Sequence, residues 1–394
     1  MDYCTSGRDL LPCLFKAERN KIITELRYLF TLDIEVVEDL VSDTFLSASE
    51  FWEKRGLPDN PRAWLRAVAK NKTRNYLKKK SIFDKKLSPE LKLAPRSEEL
   101  DIDISKKAIN DSQLAMMFTI CNPVLNVESQ ISLALNLLCE LGIQEIADAF
   151  LTTKHVIYKR VERAKERLKV TNIKIEQPTP AEINERLDSV LTALYLLFSE
   201  GHFSMSQSSP VRKNLCSEAM RLNKLLIESP LTNTPATQAL YALMCFHSSR
   251  FAARTISSDE FIPYEDQDET LWDRDLIAKG RFHLNIAATG KTISKFHLEA
   301  GIAYWHTKKE DTMEKWESIL ALYDKLLDLE YSPIAALNRT YALAKVKGKK
   351  QAIAEAKNLN LSGNLFYQSL VEFLGDSKIS DTQMSNKENP VVQI

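Results

Sequence analysis

Glu35, Asp39 and Asp43 recur four residues apart, and no basic residue falls between Leu29 and Glu53. On a helix, that spacing makes one acidic stripe. Just downstream, Arg62, Arg66, Lys70, Arg74 and Lys78 recur at the same step, joined by Lys72, Lys79 and Lys80, and no acid appears until Asp84. A chain that meets a basic protein surface with one helix and a polyanion with the next would segregate charge in this way. Either stripe alone could equally be a solvated helix face. Trp64 and Tyr76 lie among the basic residues and could stack on unpaired bases, although Trp64 also fits a core position.

A third cationic set comprises Lys154, His155, Tyr158, Lys159, Arg160, Arg163 and Arg167, with Ile157, Val161, Ala164 and Leu168 on the opposite face. It follows a short amphipathic segment (Ile143, Ile146, Ala147, Phe150) and a turn, Leu151-Thr152-Thr153, with a capping Thr. This is a helix-turn-helix pattern, which places its second helix in a major groove. His155, Tyr158, Lys159 and Glu162 lie toward the groove, while Arg160, Arg163 and Arg167 suit phosphate contacts. A helical hairpin with no DNA role is the alternative.

No motif favours catalysis. There is no Gly-rich phosphate loop, no Gly-x-Ser-x-Gly and no His-Glu-x-x-His. The acids Glu260, Glu265, Asp266, Asp268, Glu269, Asp273 and Asp275 have no His at ligand spacing and match no calcium loop, so they read as a loop with helix-N-terminal acids. No catalytic residue, metal or cofactor is expected. His247, His283, His297 and His306 read as packed or surface residues.

The elements that position these residues are helical. Only 10 Gly occur in 394 residues, and strand-like alternation is scarce, which argues for an all-α chain. Length alone implies more than one module. The formal net charge is zero, with 53 basic and 53 acidic residues, so charge acts locally here. Ile34 to Trp52 places Val37, Leu40, Val41, Thr44, Phe45, Ala48 and Trp52 on one helix face. Asn60 is a good N-cap, and Pro61 suits the first turn of the basic helix. The expected organisation is a first module over residues 8–83, a linker over 84–107, a second module over 108–170 and a large third module over 181–375.

In that third module, Leu187–Phe198, Val211–Glu228, Pro235–Arg254 and Trp316–Leu329 are amphipathic helices. Ser332–Ala356 reads as a helix pair turning at Gly348, with small residues for close packing, as in tetratricopeptide-type repeats. The six Cys form no Cys-x-x-Cys pair, so reduced thiols are expected. No segment is apolar enough for a membrane span, and the first 18 residues lack the apolar core of a signal peptide. These features suit a soluble cytoplasmic protein.

Longer strings carry a family resemblance. Glu38-Asp39-Leu40-Val41-Ser42-Asp43-Thr44-Phe45 resembles the polymerase-docking helix of sigma region two. Pro58-Asp59-Asn60-Pro61-Arg62-Ala63-Trp64-Leu65 with Ala69-Lys70-Asn71 is similar to the promoter-melting helix of that region. Glu145-Ile146-Ala147 with Val161-Glu162-Arg163-Ala164-Lys165 resembles sigma region four. Leu194 to Gly201, Glu265-Asp266-Gln267-Asp268 with Trp272-Asp273, and Tyr331 to Arg339 resemble the long C-terminal extension of one subgroup. Asn75 departs from the usual Asp, and Asn122 replaces His in a Cys-His-Pro variant.

The resemblance is to sigma factors of the extracytoplasmic-function type with a tetratricopeptide-like extension. It implies a non-catalytic subunit that docks on core RNA polymerase through Glu35, Glu38, Asp39 and Asp43. It implies promoter DNA as the partner of the Arg62–Lys80 and Lys154–Lys169 helices. It further implies an extension that regulates activity, with a protein or small ligand of its own. A stand-alone helix-turn-helix regulator and a helical-repeat scaffold are the other classes compatible with the residues.

Overall fold

The computed structural model describes residues 10–30, 32–87, 106–139, 141–150, 152–171, 173, 178–203, 210–254, 262, 264–359, 367, 370 and 374–375. Most of the expected linker, Leu151, Glu260 and the polar tail after Gly375 lie outside them. Among the described residues there are helices and no strands, so the all-α expectation holds. The chain divides into two compact units, Met1–Ala193 and Leu194–Ile394.

The first unit contains α1 (Leu10–Phe30), α2 (Ile34–Arg55), α3 (Pro61–Leu87), α4 (Lys106–Ile120), α5 (Val127–Leu137), α6 (Ile143–Ala149), α7 (Lys154–Val170) and the start of α8 (Pro180–Phe203). The periodic face of α2 is the buried one: Ile34, Val37, Val41, Thr44, Phe45, Ala48 and Trp52. Of these, Val37, Val41, Phe45, Ala48 and Trp52 pack with Leu14, Ile22, Ile23 and Leu26 of α1 and with Leu65 and Ala69 of α3. Asn60 caps α3 as expected, accepting from the Ala63 amide at 3.1 Å. The modules on either side of the linker pack together through α1, which touches both α4 and α5. The Asn20 side chain donates to the Asn136 carbonyl across this junction.

The second unit continues with α9 (Pro210–Glu228), α10 (Pro235–Ser248), α11 (Phe251–Arg254), α12 (Arg274–Ala287), α13 (Lys295–Trp305), α14 (Met313–Leu329), α15 (Pro333–Lys347) and α16 (Lys349–Asn358). Neighbouring helices pair, α10 against α12 and α13, α14 against α15, and α15 against α16. Gly348 has φ +89°, a conformation that L side chains adopt only under strain, and so makes the α15–α16 turn. The acidic segment forms two short 3-10 turns. Asp268 accepts from the Thr270 amide and Asp273 caps α12, accepting from Leu276, so these acids do serve helix starts.

One cysteine expectation needs correcting. Cys13 is disulfide-bonded, whereas Cys121, Cys139, Cys216 and Cys245 are free and buried. Pairing depends on proximity in space, which isolated cysteines in a sequence do not reveal. Burial pushes the Cys121 thiol up to about 12, which leaves it an inert core residue. Asn122, at the departure from Cys-His-Pro, is buried and accepts from the Val124 amide at 3.1 Å, closing the turn into α5.

Candidate nucleic-acid interface

The acidic stripe forms on α2, but its members differ. Asp39 and Asp43 are exposed. Glu38 is half-buried and receives the Lys165 ammonium of α7 at 3.0 Å, with Arg19 of α1 at 3.8 Å. Glu35 lies 3.7 Å from Lys169. Two of the four acids therefore face the end of the helix-turn-helix, and two face solvent. Arg27 of α1 fixes the corner before α2 by donating to the Leu32 carbonyl at 3.0 Å. Burial pulls its guanidinium down to about 10, with Asp33 and Glu38 opposing.

On α3 the structure corrects the reading of the stripe. Arg66 and Lys70 are buried. Arg66 donates to Glu18 at 2.6 Å and to Glu25 at 3.2 Å, and Lys70 meets Glu25 at 2.6 Å. The reason is geometric. A four-residue step turns a helix through about 400°, so residues from Arg62 to Lys78 drift through an arc of about 160°. The middle of that arc meets α1, where Glu18 and Glu25 wait. Arg62, Arg74 and Lys78 at its ends are exposed, as are Lys79 and Lys80. Arg62 also lies 3.4 Å from Glu18. Trp64 takes the core role, its ring stacked on Phe51 and edge-on to Trp52, both at 5.4 Å. The α1 acids were missed in sequence; their signal was two carboxylates flanking Ile22 and Ile23 on an otherwise apolar face.

On α7 the inward set is Ile157, Val161, Ala164 and Leu168, as the periodicity required. Thr153 caps it, accepting from Val156. Lys154, His155, Tyr158, Lys159, Arg163 and Arg167 are exposed on one element. Arg160 is turned aside onto Glu128 of α5 at 2.9 Å. The preceding α6 packs on α7, with Ile146 and Ala147 buried. The result is a solvent-facing helix with a base-sized aromatic, an imidazole and four cations. Such a helix can present hydrogen-bond donors to base edges and charge to phosphates.

Comparison with known proteins adds the deciding observation. Residues 14–82, which hold α2 and nearly all of α3, match the model of sigma-70 region 2. The chain carries a sigma-70 region 2, which supports a sigma factor of the sigma-70 family. That region supports a role in transcription initiation and implies core RNA polymerase and promoter DNA as partners. Residues 186–288 match a family of unknown function, DUF6596. An uncharacterized protein of Rhizobium meliloti is 32% identical over 351 residues, covering 88% of this chain and 82% of its own length. No solved structure matches the chain. Among the described residues, no helix is long and apolar enough to cross a membrane.

Proposed function

We propose that this chain is a sigma factor of the extracytoplasmic-function type that docks on core polymerase through the exposed end of α2. Asp39 and Asp43 carry the docking, with Glu35 and Glu38 joining when Lys169 and Lys165 release them. Arg62, Arg74 and Lys78 of α3 track the melted promoter. On α7, acting as region four, His155, Tyr158 and Lys159 read the upstream element, and Arg163 and Arg167 hold phosphates. The observation that carries this reading is the solvent exposure of Asp39 and Asp43 on a helix lying inside the region 2 match.

Reversing both charges, Asp39→Lys with Asp43→Lys, is expected to weaken binding to core polymerase at least tenfold. Folding should be unchanged, because neither carboxylate has an ion pair among the described residues. A pull-down at moderate salt measures it, and wild-type retention would sink the docking role.

The second unit, a tetratricopeptide-like extension, regulates this activity in the same reading. Its size supports that role, since regions two and four need only residues 1–170. A chain ending at Lys169 is therefore expected to lose the difference between inducing and non-inducing conditions in promoter-dependent transcription. Equal regulation in both chains would mean the extension is passive.

A further inference from the structure

The two units treat buried charge in opposite ways. In the first, the buried cations Arg66 and Lys70 are matched by the buried carboxylates Glu18 and Glu25. In the second, Arg250 and Arg254 are only 1% and 3% exposed. They occupy the turn after α10 and the end of α11. None of the three Arg250 guanidinium nitrogens has a hydrogen-bond partner, and Arg254 Nε has none either. No carboxylate among the described residues pairs with either one. Burial pulls Arg250 down to about 10, so it stays charged at neutral pH.

Histidines, an aromatic ring and a lysine lie nearest to them; Glu265 and Asp311 act on Tyr264 and Lys315 and not on the two guanidinium groups. Arg254 Nη1 meets His202 Nε2, and the His202 and His247 rings lie edge-on at 4.5 Å. Arg250 lies over the Tyr264 ring at 5.4 Å, and Tyr264 is edge-on to His306 at 5.2 Å. Nδ1 of His247 and of His306 have no partner. Lys315 closes the far side, satisfied by the Tyr264 hydroxyl at 2.9 Å and the Lys308 carbonyl at 2.6 Å. Two effects could offset the charge without a ligand. The face of Tyr264 attracts Arg250, but it leaves every N–H undirected. The C-terminal ends of α8, α10 and α13 bring partial negative charge, but no Arg250 N–H reaches a carbonyl.

We propose that the second unit binds a small phosphate-bearing anion on the guanidinium groups of Arg250 and Arg254, with His247 and His306 lining the site. Two cations with no carboxylate partner among the described residues call for two negative charges, which one phosphoryl group supplies and a monocarboxylate does not. The planar guanidinium fork suits its oxygens. The inference does not depend on the polymerase-docking reading.

The test uses the full chain and inorganic phosphate, with a phosphate monoester (glycerol phosphate) and acetate as separate arms. Ionic strength is matched with chloride throughout. Calorimetry and thermal denaturation are expected to give saturable binding of one phosphate or phosphomonoester per chain and a rise in Tm that tracks occupancy. The stronger of those two arms identifies the source. Arg250→Met should abolish the rise while its ligand-free Tm equals or exceeds that of wild type, because an uncompensated buried charge is gone. Arg250→Lys, which keeps the charge but not the fork, should bind at least tenfold more weakly, and it carries the test should the Met variant fail to fold. The proposal is overturned if wild type binds neither phosphate probe saturably, if acetate binds as well as phosphate, or if the Arg250 variants bind like wild type.

Discussion

Acidification from pH 7 to pH 5, in a phosphate-free buffer, is expected to remove at least about 4 kcal/mol from the stability of the second unit. His202, His247 and His306 are buried there, at 4%, 5% and 6% exposure. Burial, and after it nearby cations such as Arg254 and Arg250, hold all three well below the ordinary imidazole value. A group whose folded value is depressed contributes stability that is complete above the unfolded value, about 6.5, and is lost as the pH falls below it. If each ring stays neutral over this range, each contributes a loss of about 2 kcal/mol. His283 and His297, also held below the ordinary imidazole value by burial, add to the loss.

Glu299 opposes them. Burial raises its carboxyl to about 7 from 4.5, so its contribution is complete below 4.5 and lost as the pH rises through 7. Acidification therefore returns about 2 kcal/mol from that one group. Urea denaturation at the two pH values, followed by amide exchange in α10 and α13, measures the net effect. His247→Gln should remove about 2 kcal/mol of the difference. A pH-independent midpoint for the second unit would mean that these rings are not buried in the neutral form.

The three histidines also mark how far the sequence could be read. Helices α2 and α7 were legible because each buries large apolar residues on a single face, and the offsets of Val37, Val41, Phe45 and of Ile157, Val161, Leu168 display that face directly. Helix α12 was not among the helices expected from the sequence, and the positions it buries are small residues. Its buried positions are Gly280 and Ala287, and a Cβ on Gly280 would lie 2.6 Å from the Phe246 ring. Hydrophobic periodicity does not register a contact made by the absence of a side chain. Arg250 and Arg254 lie four apart at the end of the expected Pro235–Arg254 helix, and nothing in the sequence marks them as enclosed. Only the folded path of α8, α10 and α13 encloses them. Asp39 and Asp43 were legible as an exposed pair for the opposite reason, since nothing on α1 or α3 needed their charge.

The α3 stripe supplies the sharpest separation between interior and interface. Arg66→Met is expected to cost the first unit about 3–5 kcal/mol, the usual penalty for stranding one side of a buried ion pair. Glu18 and Glu25 would be left with Lys70, the exposed Arg62 and Lys21 at 3.9 Å from Glu18, and none of these replaces the contacts Arg66 makes to both carboxylates at 2.6 and 3.2 Å. Arg74→Ala, by contrast, removes an exposed cation from the same helix. It should change stability by less than about 0.5 kcal/mol, as surface substitutions do. It should lower affinity for promoter DNA in the polymerase complex and flatten the salt dependence by about one phosphate contact. Urea unfolding followed by amide exchange in α1 and α3 reads the first effect, and a salt titration of the promoter complex reads the second. Should Arg66→Met keep wild-type stability and lose DNA binding alone, Arg66 belongs to the interface and the ion cluster on α1 does not hold region 2 together. The simultaneous replacement of Glu18, Glu25, Arg66 and Lys70 by apolar residues of similar volume, which strands none of the four buried charges, distinguishes the cause of the loss. It should recover most of the stability lost by the single change, because the penalty arises from unpaired charge and not from a missing contact.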